Sequence, residues 1–256
     1  MSDSNNESSR SSLEAEHTPS AVAARIGTDR GQSYLRDFVY GAIDGCVTTF
    51  AIVSGVIGAG LSGKIVIVLG FANLLADGFS MAVGNYLGTK SDLQRIHHAR
   101  KIEENHLDEI PHGEIEEIRQ IFAQKGFGGN LLERVVQVIT ADRKLWIETM
   151  LKEEWGLSLA EVSPLKAGLM TFAAFVAIGL LPLIPFLSIL ILEPNLKLVF
   201  TISSLITAAS FFGIGAIKSR YVSESWVRAG VETLMMGGGA AILAYGVGGL
   251  LGGLVS

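Results

Sequence analysis

FVYGAIDGCVTTFAIVSGVIGAGLSGKIVIVLGFANLLADGFSMAVGNYLGT, residues 38–89, is two apolar arms about a Gly-Leu-Ser-Gly break, and each arm carries one acid. Asp44 lies in the first arm and Asp77 in the second, with Met81 one helical turn after Asp77. An ionisable side chain inside a membrane-spanning helix costs at least about 2.5 kcal/mol, so it marks a site by default. This stretch therefore predicts a pair of antiparallel spans built around acidic groups.

The rest of the chain agrees with a membrane reading. Its 256 residues are 49% hydrophobic and 18% charged, too apolar for an ordinary soluble domain, and its 30 glycines suit close helix contacts in lipid. A net charge of -5, unevenly placed, gives no case for a nucleic-acid partner. Cys46 is the sole cysteine, which excludes an internal disulfide and a cysteine-rich metal cluster.

A span needs about 20 residues to cross the hydrocarbon. Charge-free length then predicts five spans, at 37–60, 65–88, 167–192, 198–217 and 233–256. Ser163 and Pro164 read as the cap and first residue of the third, and Pro182 with Pro185 should kink its far end. Residues 1–33 are rich in Ser, Asn and Glu, predict a disordered tail and lack the apolar core of a signal peptide. Residues 90–163 are too charged for membrane and too periodic for a linker. Within them the second span continues as a helix to Asp108. Pro111 and Gly113 break it, a helix runs from 114 to 125, Asn130 caps another over 131–140, and Asp142 caps a fourth ending at Gly156. The expected fold is an all-α membrane protein, with a cytoplasmic helical metal-binding domain inserted between transmembrane helices two and three. Lys and Arg collect on the side of this insert (Arg25, Arg30, Arg36, Lys218, Arg220, Arg228), whereas the opposite short loops hold Lys64 and Lys197. That bias places the N-terminus and the insert in the cytoplasm, and the C-terminus outside or in a lumen.

Counting from the cytoplasmic ends, Asp44 and Met81 each lie about 12 Å deep and level with one another. Asn73, Asp77, Met81 and Asn85 recur every fourth residue along one drifting face. Carboxylate, amide and thioether together suit a borderline divalent transition metal better than magnesium or calcium. The plain alternative is that the two aspartates bond buried backbone or each other and that Met81 fills the core. Gly84 with Gly88, and Gly248 with Gly252, fit either helix packing or a dimer seam.

A second constellation lies in the insert. Glu103 and His106 are spaced i,i+3 on one helix and Glu114 and Glu117 likewise on the next, so each pair points from one face. The break at Pro111 folds the faces together, and Glu148, Met150, Glu153 and Glu154 are placed to close the site. Carboxylates with a neutral imidazole suit ferrous iron or manganese. A solvated acidic face is the ordinary alternative. His97 and His98 read as membrane-surface residues with no assigned role. Glu103-x-x-His106 also matches half of a di-iron carboxylate signature, but no second unit occurs, which argues against an oxidase.

The two motifs of the opening stretch, YLRDFVYGAIDGCVTTFAIVSGVIGAG and FANLLADGFSMAVGNYLGTKSD, followed by ETMLKEEWGL and SPLKAGLMTFAAFVAIGLLPLIPF, resemble the vacuolar iron transporter family from Tyr34 onward. The resemblance implies a five-span homodimer that exports ferrous iron, and often manganese, from the cytosol in exchange for protons. It further implies a path between protomers and a glutamate-rich cytoplasmic domain that collects metal. On it, Asp44 matches an essential first-span aspartate and Met81 a second-span methionine. Glu103, Glu114, Glu117, Met150 and Glu154 fall on metal-binding positions. Asn73 and His106 depart from the family pattern, each standing where a glutamate is expected. The first removes a titratable group from the path; the second softens the site toward iron, cobalt or zinc. The expectation is thus a transporter and not an enzyme, with no cofactor beyond its divalent metal. Its partners are protons, the bilayer and a second copy. A membrane-anchored metal-binding sensor or scaffold without transport is the alternative. The membrane would be the inner membrane of a bacterium, favoured by the lack of an evident eukaryotic targeting element, or the vacuolar membrane of a eukaryote.

Overall fold

Gly60 and Ser62 set the first hairpin. Gly60 adopts φ +69°, where a side chain would be strained, and Ser62 then accepts the Lys64 N–H at 3.3 Å to cap the next helix. In the computed structural model, which describes residues 13–27, 34–160, 162–222 and 224–255, this turn joins α2 (Leu35–Gly58) to α3 (Gly63–Glu109). With 47 residues, α3 is about 70 Å long at 1.5 Å per residue, more than twice the hydrocarbon thickness. The prolongation of the second span beyond residue 89 is thus one continuous helix.

The other elements are α1 (Pro19–Gly27), α4 (Pro111–Gln124), α5 (Gly129–Thr140), α6 (Arg143–Glu153), α7 (Pro164–Gly179), α8 (Ile184–Leu187), α9 (Leu196–Val222) and α10 (Trp226–Val255). Of these, α1 lies in the tail expected to be disordered. Its run of alanines favours helix, and the Thr18 hydroxyl accepts the Ala21 N–H at 3.4 Å. The rest of that expectation, residues 1–12 and 28–33, falls outside the described residues. Two boundaries in the insert differ from expectation. Pro111 opens α4 instead of only breaking α3, because a proline at the first helical position loses no hydrogen bond. Asn130 lies inside α5, which starts from extended Gly128, so it is no cap. Asp142 does cap α6, accepting from Lys144 N–H at 2.9 Å and Leu145 N–H at 3.2 Å.

Among the described residues, five helices are long and apolar enough to cross a membrane: Leu35–Gly58, Gly63–Glu109, Pro164–Leu190, Leu196–Arg220 and Trp226–Gly253. The third is regular only to Gly179. Beyond it Pro182 and Pro185 leave short turns, and the Ser203 hydroxyl donates 2.7 Å to the Pro182 carbonyl. The fifth begins earlier than its charge-free stretch. It includes Glu232, which pairs with Lys218 of α9 at 3.6 Å, so a charge is tolerated near that end.

Helix α2 packs against α3, α7, α9 and α10. A methyl on Gly41 or Gly45 would strike the Thr171 or Phe175 carbonyl of α7, and one on Gly248 or Gly252 would strike the backbone of Gly55 or Ala59. Of the two glycine pairs read from the sequence, Gly248 and Gly252 therefore serve packing inside the chain. Around Gly84 and Gly88 there is open space. The insert has a separate core that includes Ile118, Val136, Ile147, Met150 and Leu151. Full burial of one such side chain is worth about 1.5 to 3 kcal/mol against water.

Candidate metal site

In the insert, α3 brings Glu103 and His106, and α4 brings Glu114. Among the described residues these three offer ligand atoms all within 4.8 Å of one another. Glu114 is completely buried and Glu103 nearly so, while His106 is exposed. The fold-back at Ile110–Pro111 thus produces the convergence that the i,i+3 spacings predict. His106 Nδ1 stands 3.0 Å from Glu114 Oε1, within ion-pair distance when the imidazole is protonated. Glu103 Oε1 accepts the indole N–H of Trp155 at 2.7 Å. Three buried oxygens, Glu103 Oε2 and both of Glu114, have no hydrogen-bond partner while both acids are ionised, and the two carboxyls lie close enough to share a proton.

Orphan carboxylate oxygens away from water are costly, so they take up a proton or a cation. Burial first, then the charges of Glu103 and Glu117, push the Glu114 carboxyl from its ordinary 4.5 up to about 7, against the pull of His106. Glu154 is at the exposed rim, yet the surrounding protein strips enough hydration to push its carboxyl upward as well. Glu103 and Glu117 add to that push. Glu117, also exposed, is thereby within electrostatic reach of both. Met150 is fully buried in the insert core. The donor set of carboxylates and one imidazole fits a divalent transition ion.

Two residues placed near this site by sequence are engaged elsewhere. Glu153 pairs with Lys125 at 2.5 Å, and Glu148 has Lys144 within 3.9 Å. His97 and His98 are exposed.

In the bundle, Asp44 on α2 is half-buried, and its carboxylate feels the charge of Asp77 on α3. Asp77 itself is exposed, whereas Asn73 and Met81 are half-buried. The Asn73 amide nitrogen is buried without a partner. Asn85 leaves this series: its amide donates to Asp37 Oδ1 at 2.9 Å, to Thr171 Oγ1 at 2.7 Å and to the Ala167 carbonyl at 3.3 Å. It joins α3 to α2 and α7. Sequence reasoning overlooked Asp37 and Trp155. Asp37 precedes Asp44 by two turns on one face, and a half-buried indole needs an acceptor.

The chain is similar to known proteins over most of its length. The sequence pattern of the VIT family matches residues 35–249. A vacuolar iron transporter of Toxoplasma gondii is 33% identical over 230 residues, covering 88% of this chain and 76% of that one. Vacuolar iron transporter 2 of Oryza sativa subsp. japonica is 30% identical, covering 83% and 85%. Vacuolar iron transporter 1 of Arabidopsis thaliana is 29% identical, covering 82% and 83%.

Proposed function

The chain belongs to the VIT family, and from that premise we propose that it moves ferrous iron, with manganese as a second substrate, out of the cytosol by proton antiport. Metal transport follows the activity for which its relatives are named. The observation that carries the reading is the set of three buried, donorless carboxylate oxygens on Glu103 and Glu114 beside His106. Such a set holds cations.

Metal is collected in the cytoplasm by Glu103, His106, Glu114, Glu117, Met150 and Glu154 and delivered to Asp44 and Met81. It then passes Asp77 and Asn73 toward an acidic lumen, as in the vacuole for which the relatives are named. A carboxylate in low dielectric holds either a proton or a metal, and that competition is the exchange. With Asn73 untitratable, the protons ride on Asp44 and Asp77.

The working unit is a homodimer. Asp77 is exposed on a span, where facing lipid would cost at least about 2.5 kcal/mol. Gly84 and Gly88, with open space around them on the same helix, allow another backbone to approach. A second copy against α3 would cover that aspartate and bring a matching set of donors.

The test is uptake of ferrous iron by purified protein in sealed vesicles, with lumenal pH recorded and manganese, cobalt and zinc as competitors at two imposed gradients. Metal entering while an acid lumen turns alkaline is the expected result. Uptake without proton movement would remove the antiport and leave transport. Binding without uptake would favour a metal-gated sensor or scaffold, a reading that draws on the best-formed cluster being outside the spans.

A further inference from the structure

Trp155 donates its indole N–H to the carboxylate cluster without offering a metal ligand. We propose that it is a positioning residue: its indole N–H fixes the Glu103 carboxylate so that the free oxygen is presented to a divalent transition ion. The inference rests on the metal-collecting reading of the insert and adds a part to it.

The local backbone explains how the ring arrives. Where α6 ends, the N–H groups of Glu154 and Trp155 both go to the Met150 carbonyl, at 2.9 and 3.3 Å. Gly156 then turns with φ +62°, and the Leu157 N–H returns to the Leu151 carbonyl at 2.9 Å. This turn directs the half-buried indole from the end of α6 to Glu103, 52 residues earlier on α3, and closes a 2.7 Å bond to Oε1. Met150 and Glu154 belong to the same turn. Trp155 therefore ties the α6 side of the cluster to the α3 side.

Burial alone would not orient Glu103. The last torsion of a glutamate is broad, so either oxygen can swing toward a cation or away from it. A hydrogen bond to a carboxylate is among the stronger kinds, and one N–H on Oε1 fixes the group with both lone pairs of Oε2 open to the ion. Oε2 is the buried oxygen that lacks a donor, as are both oxygens of Glu114. Partners of this sort orient metal ligands, and their loss typically costs about 10-fold to 100-fold in affinity. The insert's other tryptophan offers a contrast. Trp146 is buried in the core with its N–H unpartnered, so there the ring alone is used.

Trp155→Phe keeps the ring and removes the N–H. For purified full-length protein titrated with Zn2+ against a competing chelator, affinity should fall about 10-fold to 100-fold. In ferrous iron uptake the loss should appear as a raised half-saturating metal concentration more than as a lowered maximal rate. A second measurement leaves Trp155 in place: in Trp146→Phe with Trp226→Phe it is the sole indole, and Zn2+ should move its N–H resonance and change its emission. That titration decides the matter if Trp155→Phe fails to fold. Wild-type Zn2+ affinity in Trp155→Phe, or an indole resonance indifferent to Zn2+, overturns the proposal. Binding that Glu114→Gln abolishes and Trp155→Phe leaves intact sinks the positioning role alone. Absence of Zn2+ binding by the wild-type chain sinks the metal-collecting reading with it.

Discussion

The membrane bundle and the insert each carry an acidic cluster, and they house it in opposite ways. In the insert, helices α3 to α6 wrap a core that excludes water, and Glu103 and Glu114 are sealed beside it. In the bundle, lipid is as apolar as any side chain, so burying leucine supplies little drive and helices close up where glycine lets backbones touch. Gly41, Gly45, Gly248 and Gly252 make such approaches to neighbouring helices, whereas Gly84 and Gly88 do not. One acid cluster is therefore completed within the chain. The other leaves Asp77 bare.

The sharpest way to break this contrast is to remove the half-buried bundle acid. Asp44→Ala should abolish metal uptake into acid-loaded vesicles while leaving Zn2+ binding by the insert intact. Full uptake by that variant would remove Asp44 from the path and leave the insert as the sole metal site. A packing test comes next. Gly45→Val would drive its side chain into the Phe175 carbonyl, a backbone atom that cannot swing away. Overpacking of that kind costs about 1 to 3 kcal/mol. The variant should melt at a lower temperature in detergent, and an unchanged melting temperature would mean that α2 and α7 can separate freely.

The same contrast governs what could be read from the sequence. The bundle was legible because charge-free length and the pair Pro182 and Pro185 act locally. Ser163 and Asp142 were readable caps for the same reason. The helix boundary at Gly128 was not, since two adjacent glycines permit several starts. In the insert, i,i+3 spacing brought Glu103, His106 and Glu114 together correctly, because each pair is local and one break joins them. The pairing of Glu153 with Lys125 was not legible, because that partner lies at the end of another helix. Trp155 was missed for a like reason: its acceptor is far away in sequence. The fit of Asp77 to its surroundings is a question about the α3 surface, and no spacing within one chain addresses it.

Within the insert the expected effects are smaller and graded. Glu114→Ala with Glu117→Ala should weaken apparent affinity about 10-fold or more and leave uptake at saturating metal nearly whole, as loss of collecting ligands predicts. Loss of all uptake would instead make the insert part of the path itself.

The smallest effect lies in the pH dependence of the insert without metal, and its sign follows from Glu114. Its carboxyl is raised in the fold from the ordinary 4.5 to about 7. Between those values the folded chain binds more protons than the unfolded one, so stability falls as pH rises through that window and levels off above it. A shift of this size converts to at most about 3 kcal/mol. Metal reverses the preference, because an ion requires the ionised form that burial disfavours. Unfolding of the metal-free protein followed from pH 5 to pH 8 should show this decline, and Glu114→Gln should flatten it while also weakening Zn2+ binding. Zn2+ binding near pH 7 should release a proton in the wild-type chain and fewer in the variant. A flat profile in both proteins would mean that water reaches the Glu114 oxygens, and the insert would then shelter its acids no better than the bundle shelters Asp77.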